Sequence, residues 1–99
     1  MTINTSKKDG NIFFALEGRL DTLSSPKLQN VLLPACDEAS TIELDFTKLE
    51  YISSAGLRVL LSAHKTAQTK NGSMIVSGVS EEIMEVFSMT GFSEILKIK

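Results

Sequence analysis

The fold is decided by one stretch, Leu44-Asp45-Phe46-Thr47-Lys48-Leu49-Glu50-Tyr51-Ile52-Ser53-Ser54-Ala55-Gly56-Leu57. An alternating apolar strand ends at Asp45, and a short loop then leads to two adjacent serines at the start of an amphipathic helix. Exposed backbone N–H groups and the helix dipole both favour negative charge at a helix N-terminus. We therefore expect that a phosphoryl group on one of these serines would leave the fold intact.

Apolar periodicity and turn residues place the other elements. Asp9-Gly10 is typical of a two-residue turn, so the chain is predicted to start with a hairpin. The second hairpin strand is apolar on both alternating faces, as in a strand that is covered on both sides. The remaining periodic segments predict strands at 41–46 and 74–77, a helix at 54–69, a helix that Ser80 caps and Gly91 ends, and a last strand or turn at 95–98.

Two prolines set the limits of the first helix. Ser25 is the expected N-cap, and Pro26 is the expected first helical residue. Pro34 removes a backbone donor in the middle of the helical pattern. We expect either a kink at Pro34 or a helix end near Leu33, followed by another turn to about Ala39.

The resulting element order is β-β-α-β-α-β-α. A hairpin followed by alternating helices and strands predicts an α/β fold, in which a mixed sheet of about four strands has helices packed against it. A chain of 99 residues is expected to form a single domain over residues 1–99.

Composition narrows the class of protein. Ten basic and twelve acidic residues give a net charge of −2 without a basic cluster, which argues against nucleic acid as a partner. Cys36 is the only cysteine, so no internal disulfide can form, and we expect it to be a buried helix residue. No apolar run approaches the ~20 residues of a membrane span, and residues 1–5 lack a signal-peptide pattern. We expect a cytoplasmic protein without membrane insertion.

The sequence lacks the residues that an enzyme site would need. A nucleophile elbow has glycine two residues before its serine, and Ile52 occupies that position. His64 lies roughly 15 Å beyond Ser54 along the helix, too far to act as its base, and is interpreted as a boundary residue. One histidine and one cysteine do not make a metal site, and no phosphate-binding loop motif is present. We expect no catalysis, cofactor or metal, so any phosphate on Ser54 comes from another protein.

Gly56 bears on what the serine pair does. Helix capping alone explains most serines at such positions. Glycine in the first turn lowers helix stability, however. We interpret Gly56 as leaving the helix start open to the close approach of an anion or a partner surface.

Three segments together resemble the STAS domains of bacterial anti-sigma-factor antagonists. They are Leu44-Asp45-Phe46 with residues 51–60, Gly18-Arg19-Leu20-Asp21 with Ser25-Pro26, and residues 84–92. They cover nearly the whole chain in the family's order. The resemblance implies a STAS-like fold and a protein-binding module switched by phosphorylation, which sequesters an anti-sigma kinase and so releases a sigma factor.

The resemblance also implies roles for individual residues. Ser54 matches the serine that the cognate anti-sigma kinase phosphorylates, and Asp21 matches an acidic residue in the adjacent loop that the kinase contacts. Phosphorylation is expected to weaken the complex, and a phosphoserine phosphatase to restore it. The expected partner-binding residues are Asp21, Thr22, Ser53, Ser54, Ala55, Gly56 and Arg58.

Two departures from the family pattern affect these expectations. Members commonly carry aspartate just before the phosphoserine, whereas this chain has Ser53, which becomes the second candidate for phosphorylation after Ser54. Members usually continue into another C-terminal helix, whereas this sequence stops at Lys99. We therefore expect exposed apolar surface near Ile95 and Ile98.

Two other functions remain open from the sequence. A STAS-type accessory subunit of a transporter or a multiprotein sensor complex would use the same surface for permanent docking. Binding of a small molecule or nucleotide at the Asp21–Ser54 surface is the third hypothesis.

Overall fold

The chain begins with the hairpin that Asp9-Gly10 predicts. In the computed structural model, which describes residues 1–99, strands β1 (Thr2–Lys8) and β2 (Asn11–Leu20) pair antiparallel. Asp9 and Gly10 both have positive φ, 52° and 80°, as a tight two-residue turn requires. The turn therefore joins Lys8 directly opposite Asn11.

Helices and strands alternate after β2. The sheet order is β1-β2-β3-β4-β5, with every pair from β2 onward parallel. There are five strands instead of about four, because 97–98 form a two-residue strand within the segment predicted as a last strand or turn. The elements are α1 (Ser25–Glu38), β3 (Thr41–Ile52), α2 (Ser54–Thr69), β4 (Ser73–Ser77), α3 (Glu81–Thr90), a single 3-10 turn (Phe92–Glu94) and β5 (Lys97–Ile98).

The three helices cover one face of the sheet. Each parallel strand is added on the same side of the previous one, and right-handed crossovers then place every helix on the same face. Phe13 on the other face is 38% exposed, so the prediction that β2 is covered on both sides is wrong. The buried strand residues are Ile12, Phe14, Leu16, Leu20, Ile42, Leu44, Phe46, Leu49, Ile52, Met74 and Val76.

Strand β3 is longer than predicted, and β2 extends beside it. Instead of ending near Asp45, β3 continues to Ile52, and β2 continues to Leu20. The two strands stay paired through two register irregularities and finish with Leu20 opposite Ile52. These irregularities break the alternation of apolar residues, which is why the pattern alone indicated a loop. The extra length carries the chain beyond β4 to the start of α2.

Helix α1 differs from the prediction at its N-cap, and of the two outcomes expected at Pro34, the helix end near Leu33 is wrong. Its N-cap is Ser24, one residue earlier than predicted, because the Ser25 hydroxyl is buried and donates to the Asp21 carbonyl. The helix also runs without interruption through Pro34 to Glu38. Pro34 is on the exposed side of α1, where water can satisfy the carbonyl that loses its helical partner.

Two further predictions concern burial. Cys36 is buried as predicted, between α1 and α2, and desolvation raises the pKa of its thiol. His64 is also buried, at 6% exposure, so its interpretation as a boundary residue is wrong. Of the apolar surface expected near the C-terminus, Ile95 is exposed, whereas Ile98 packs partly against the core.

Candidate functional site

The site is built where β2 and β3 end at the carboxyl edge of the sheet. Strand β3 ends at Ile52, whose side chain is buried. The N–H of the next residue, Ser53, donates a hydrogen bond to the Leu20 carbonyl at 2.9 Å. This hydrogen bond holds the start of α2 against the end of β2. The loop that leaves β2 at Asp21 is therefore adjacent to the first turn of α2.

The two serines at the start of α2 have different roles. Ser53 is the N-cap, and its half-buried hydroxyl oxygen accepts a hydrogen bond from the Gly56 N–H at 3.3 Å. Ser54 is the first helical residue, its side chain is exposed, and its hydroxyl makes no hydrogen bond within the protein. The Ser54 and Ala55 N–H groups likewise have no protein acceptor. The start of α2 thus carries a hydroxyl and two backbone amides that have no partner within the protein.

Gly56 is buried, and its lack of a side chain serves packing. A Cβ atom at this position would lie 2.7 Å from Leu20 Cγ and 3.0 Å from Ile52 Cγ1. Both side chains belong to the core beneath the first turn. Gly56 therefore lets α2 approach the strand ends closely. The interpretation that it keeps the helix start open to an anion or partner is wrong, because this position faces inward.

The loop from Asp21 to Ser24 is held by a local hydrogen-bond network. Asp21 Oδ1 accepts from the Leu23 N–H at 3.1 Å and from the Ser24 N–H at 3.0 Å. The Ser24 hydroxyl accepts from the Asp21 N–H at 2.9 Å and donates to the Arg19 carbonyl at 2.7 Å. The hydrogen bond from the Ser24 N–H is the main cause that lowers the pKa of the Asp21 carboxyl from its usual value. The aspartate predicted to meet a partner thus also orders its own loop.

A groove between α1 and α2 extends from Thr22 of this loop along the first turns of α2. The groove has a volume of about 350 Å³ and contains Thr22, Ala55 and Arg58 in its walls. Arg58 is exposed and forms no ion pair or hydrogen bond within the protein. The structure therefore brings Thr22 of the loop against the first two turns of α2.

Comparison with known proteins places this geometry in a family. The family model for the STAS domain matches residues 2–99. An anti-sigma-B factor antagonist from Listeria monocytogenes is 30% identical over 90 residues, which are 90% of this chain and 77% of the relative. This chain is a STAS domain of the anti-sigma factor antagonist family.

Solved structures share the fold of this STAS domain. The anti-sigma factor antagonist SpoIIAA in its unphosphorylated form gives a TM-score of 0.80 at 17% identity, covering 99% of this chain and 87% of that one. The Bacillus SpoIIAA in its phosphorylated form gives 0.79 at 18% identity, covering 99% and 91%. At this level of identity the likeness shows a common architecture.

Two exposed side chains of the STAS domain were missed from the sequence. Leu23 is 91% exposed at the tip of the Asp21–Ser24 loop, where a leucine among polar turn residues was the available signal. Tyr51 is partly exposed, and the Arg19 guanidinium carbon lies 4.1 Å from its ring centroid. Arg19 lies beside Tyr51 because the register of β2 and β3 places the two residues opposite each other. The sequence pattern does not give this register.

Other polar residues near the STAS site have local structural roles. Asp45 Oδ1 accepts hydrogen bonds from the Thr47 hydroxyl and, at 2.9 Å, from the Thr47 N–H, and these two bonds lower the pKa of the Asp45 carboxyl. Lys48 Nζ lies 3.9 Å from Glu17 Oε1 across the β2–β3 pair. No group of three or more His, Cys, Asp or Glu side chains is arranged to hold a metal ion. None of the helices has the length and hydropathy needed to cross a bilayer.

Proposed function

We propose that this STAS domain binds an anti-sigma kinase and is released when that kinase phosphorylates Ser54. The observation that carries the proposal is the exposed, unbonded Ser54 hydroxyl at the first residue of α2. Ser53 is the weaker acceptor because its hydroxyl is half-buried and caps the helix. The proposed docking surface consists of Asp21, Thr22, Leu23, Ser53, Ser54, Ala55 and Arg58.

The proposed chemistry is phosphoryl transfer from ATP bound by the kinase. The Ser54 oxygen attacks the γ-phosphorus, the bond from that phosphorus to the ADP oxygen breaks, and the hydroxyl proton passes to a base of the kinase. The product carries close to two additional negative charges and three acceptor oxygens. The free Ser54 and Ala55 amides can accommodate this charge at the helix start. The docking surface then has a different charge and shape, so affinity for the kinase falls.

The names of the relatives support this direction. The Listeria relative is an antagonist of anti-sigma-B factor, and SpoIIAA has been solved both with and without its phosphate. By analogy we assign this chain the same type of partner, an anti-sigma kinase, and a phosphoserine phosphatase that resets the switch. The chain is then a substrate and ligand, not an enzyme, and it acts in the cytoplasm.

The proposal is tested with Ser54→Ala and the matched control Ser53→Ala. Each purified variant is incubated with ATP and the anti-sigma kinase of the native organism, and the phosphate is located by intact mass and fragmentation. We expect wild type and Ser53→Ala to gain one phosphate and Ser54→Ala to gain none. Phosphate transfer to Ser54→Ala at the wild-type rate would contradict the assignment.

Binding provides the second measurement. Ser54→Ala keeps the uncharged surface and should bind the kinase as wild type does, whereas Ser54→Asp adds a charge and should bind at least several-fold more weakly. Equal affinity of the alanine and aspartate variants would be inconsistent with a charge-based switch.

A further inference from the structure

Arg58 is an exposed cation without an internal partner, on the same face of α2 as Ser54. Residues four apart on a helix are neighbours, with Cβ atoms about 5–6 Å from each other. Side chains on a helix also lean toward its N-terminus, which directs Arg58 toward Ser54 rather than away from it. The four ion pairs of the protein involve other residues, so the guanidinium is available.

We propose that Arg58 is the internal counter-ion of the phosphate on Ser54. The inference rests on the proposed function, since it assumes that Ser54 is the residue modified. Anion before cation at a spacing of four residues is the favourable order on a helix. Arginine also presents a planar set of donors that matches phosphate oxygens.

An ion pair between Arg58 and the phosphate changes the charges that the docking surface presents to the kinase. In the unmodified protein, Arg58 lies in the wall of the groove beside Thr22 and Ala55 and is free to meet an acidic group of a partner. After phosphoryl transfer, the same guanidinium is engaged by the phosphate above the first turn of α2. Phosphorylation therefore withdraws a cation from the surface in addition to adding an anion.

The test uses phosphoserine placed at position 54 by genetic encoding, so no kinase is required. The second pKa of the phosphate, ordinarily about 6, is read from a ³¹P NMR titration. The proteins compared are wild type, Arg58→Gln and the matched control Lys65→Gln. Lys65 is also exposed on α2 but lies about 16 Å from position 54 along the helix axis. Its replacement by Gln therefore removes one positive charge without removing a contact to the phosphate.

A neighbouring cation stabilises the dianion, so the wild-type phosphate should titrate about 0.3 pH unit or more below that of Arg58→Gln. Lys65→Gln should titrate like wild type, and 0.5 M salt should narrow the gap. Identical titrations of wild type and Arg58→Gln would overturn the inference. A kinase that leaves wild-type Ser54 unmodified would contradict the proposed function alone, because the encoded phosphate still reports on Arg58.

Discussion

At the scale of single residues, Ser53 and Ser54 show how one position along a helix decides chemistry. Ser53 at the N-cap directs its oxygen back to the Gly56 amide, whereas Ser54 in the first helical position points to solvent. The N-cap has extended backbone geometry, which allows the side chain to reach the first turn. The same residue type is therefore structural at one position and available for modification at the next.

Gly56→Ala should destabilise the protein. The added Cβ would lie 2.7 Å from Leu20 Cγ, and Leu20 has no exposed surface through which it could move away. Overpacking of this kind costs roughly 1–3 kcal/mol, more than the gain in helix propensity from alanine. Urea unfolding of Gly56→Ala and wild type measures the difference in free energy of unfolding. Stability equal to wild type would mean that the strand ends can shift to admit a methyl group.

At the scale of elements, the loop from Asp21 to Ser24 depends on an ionised carboxylate. Its pKa is lowered in the folded chain from the usual 3.8, chiefly by the Ser24 backbone hydrogen bond. Because this pKa is lower in the folded chain, the ionised Asp21 carboxylate stabilises the folded chain above pH 3.8. That stabilisation is lost as the pH falls through the pKa of the carboxyl in the folded chain. We expect the Leu23 and Ser24 amide ¹H shifts to be constant near neutrality and to change together below pH 3.8.

Asp21→Asn provides the control for this acid transition. Its side-chain oxygen can accept the same two hydrogen bonds but does not titrate. The two amide shifts should then be flat across the same acidic range. A transition of equal size in the variant would place its origin outside the Asp21 carboxyl.

Leu23→Ala should weaken binding to the anti-sigma kinase while leaving the fold unchanged. A leucine that is 91% exposed on a hydrogen-bonded loop contributes little to the core, and little ordering entropy is lost when a partner covers it. We expect an affinity loss of about tenfold, measured by titration calorimetry. Met89→Ala is the matched control because Met89 is also highly exposed but lies at the end of α3 on the opposite edge of the sheet. Equal affinities of the two variants for the kinase would show that Leu23 is not part of the interface.

Whether a segment is a helix or a strand was easier to predict from the sequence than the residues at which it begins and ends. Helix α2 was correct from Ser54 to Thr69 because its caps and apolar period are local features. The extension of β3 to Ile52 was missed because it depends on pairing with β2 through irregular register. The inward direction of Gly56 and the burial of His64 were missed for a related reason, since both depend on the strand ends and helices that pack against α2.

At the scale of the whole molecule, the topology places the open sheet face and the proposed docking surface on different parts of the protein. Helices cover one face, and every β-to-α connection lies at the carboxyl edge of the parallel strands. The sequence could predict this order from alternating elements. It could not predict that the β2 and β3 extensions carry Ser54 beyond the end of β4, because that requires the observed register.

Phosphorylation at Ser54 should therefore change the surface without changing the fold. The Ser54 side chain that would carry the phosphate is exposed, and the first-turn amides of Ser54 and Ala55 are unpaired. In ¹H–¹⁵N spectra, shift changes should concentrate at the start of α2 and in the Asp21–Ser24 loop, whereas β4 and α3 should be unaffected. Unmodified Ser53→Ala protein supplies a control for altered capping, because it perturbs the first turn without adding charge. Widespread changes across the core on phosphorylation, absent from this control, would mean that the switch acts by rearranging the sheet and not through its surface.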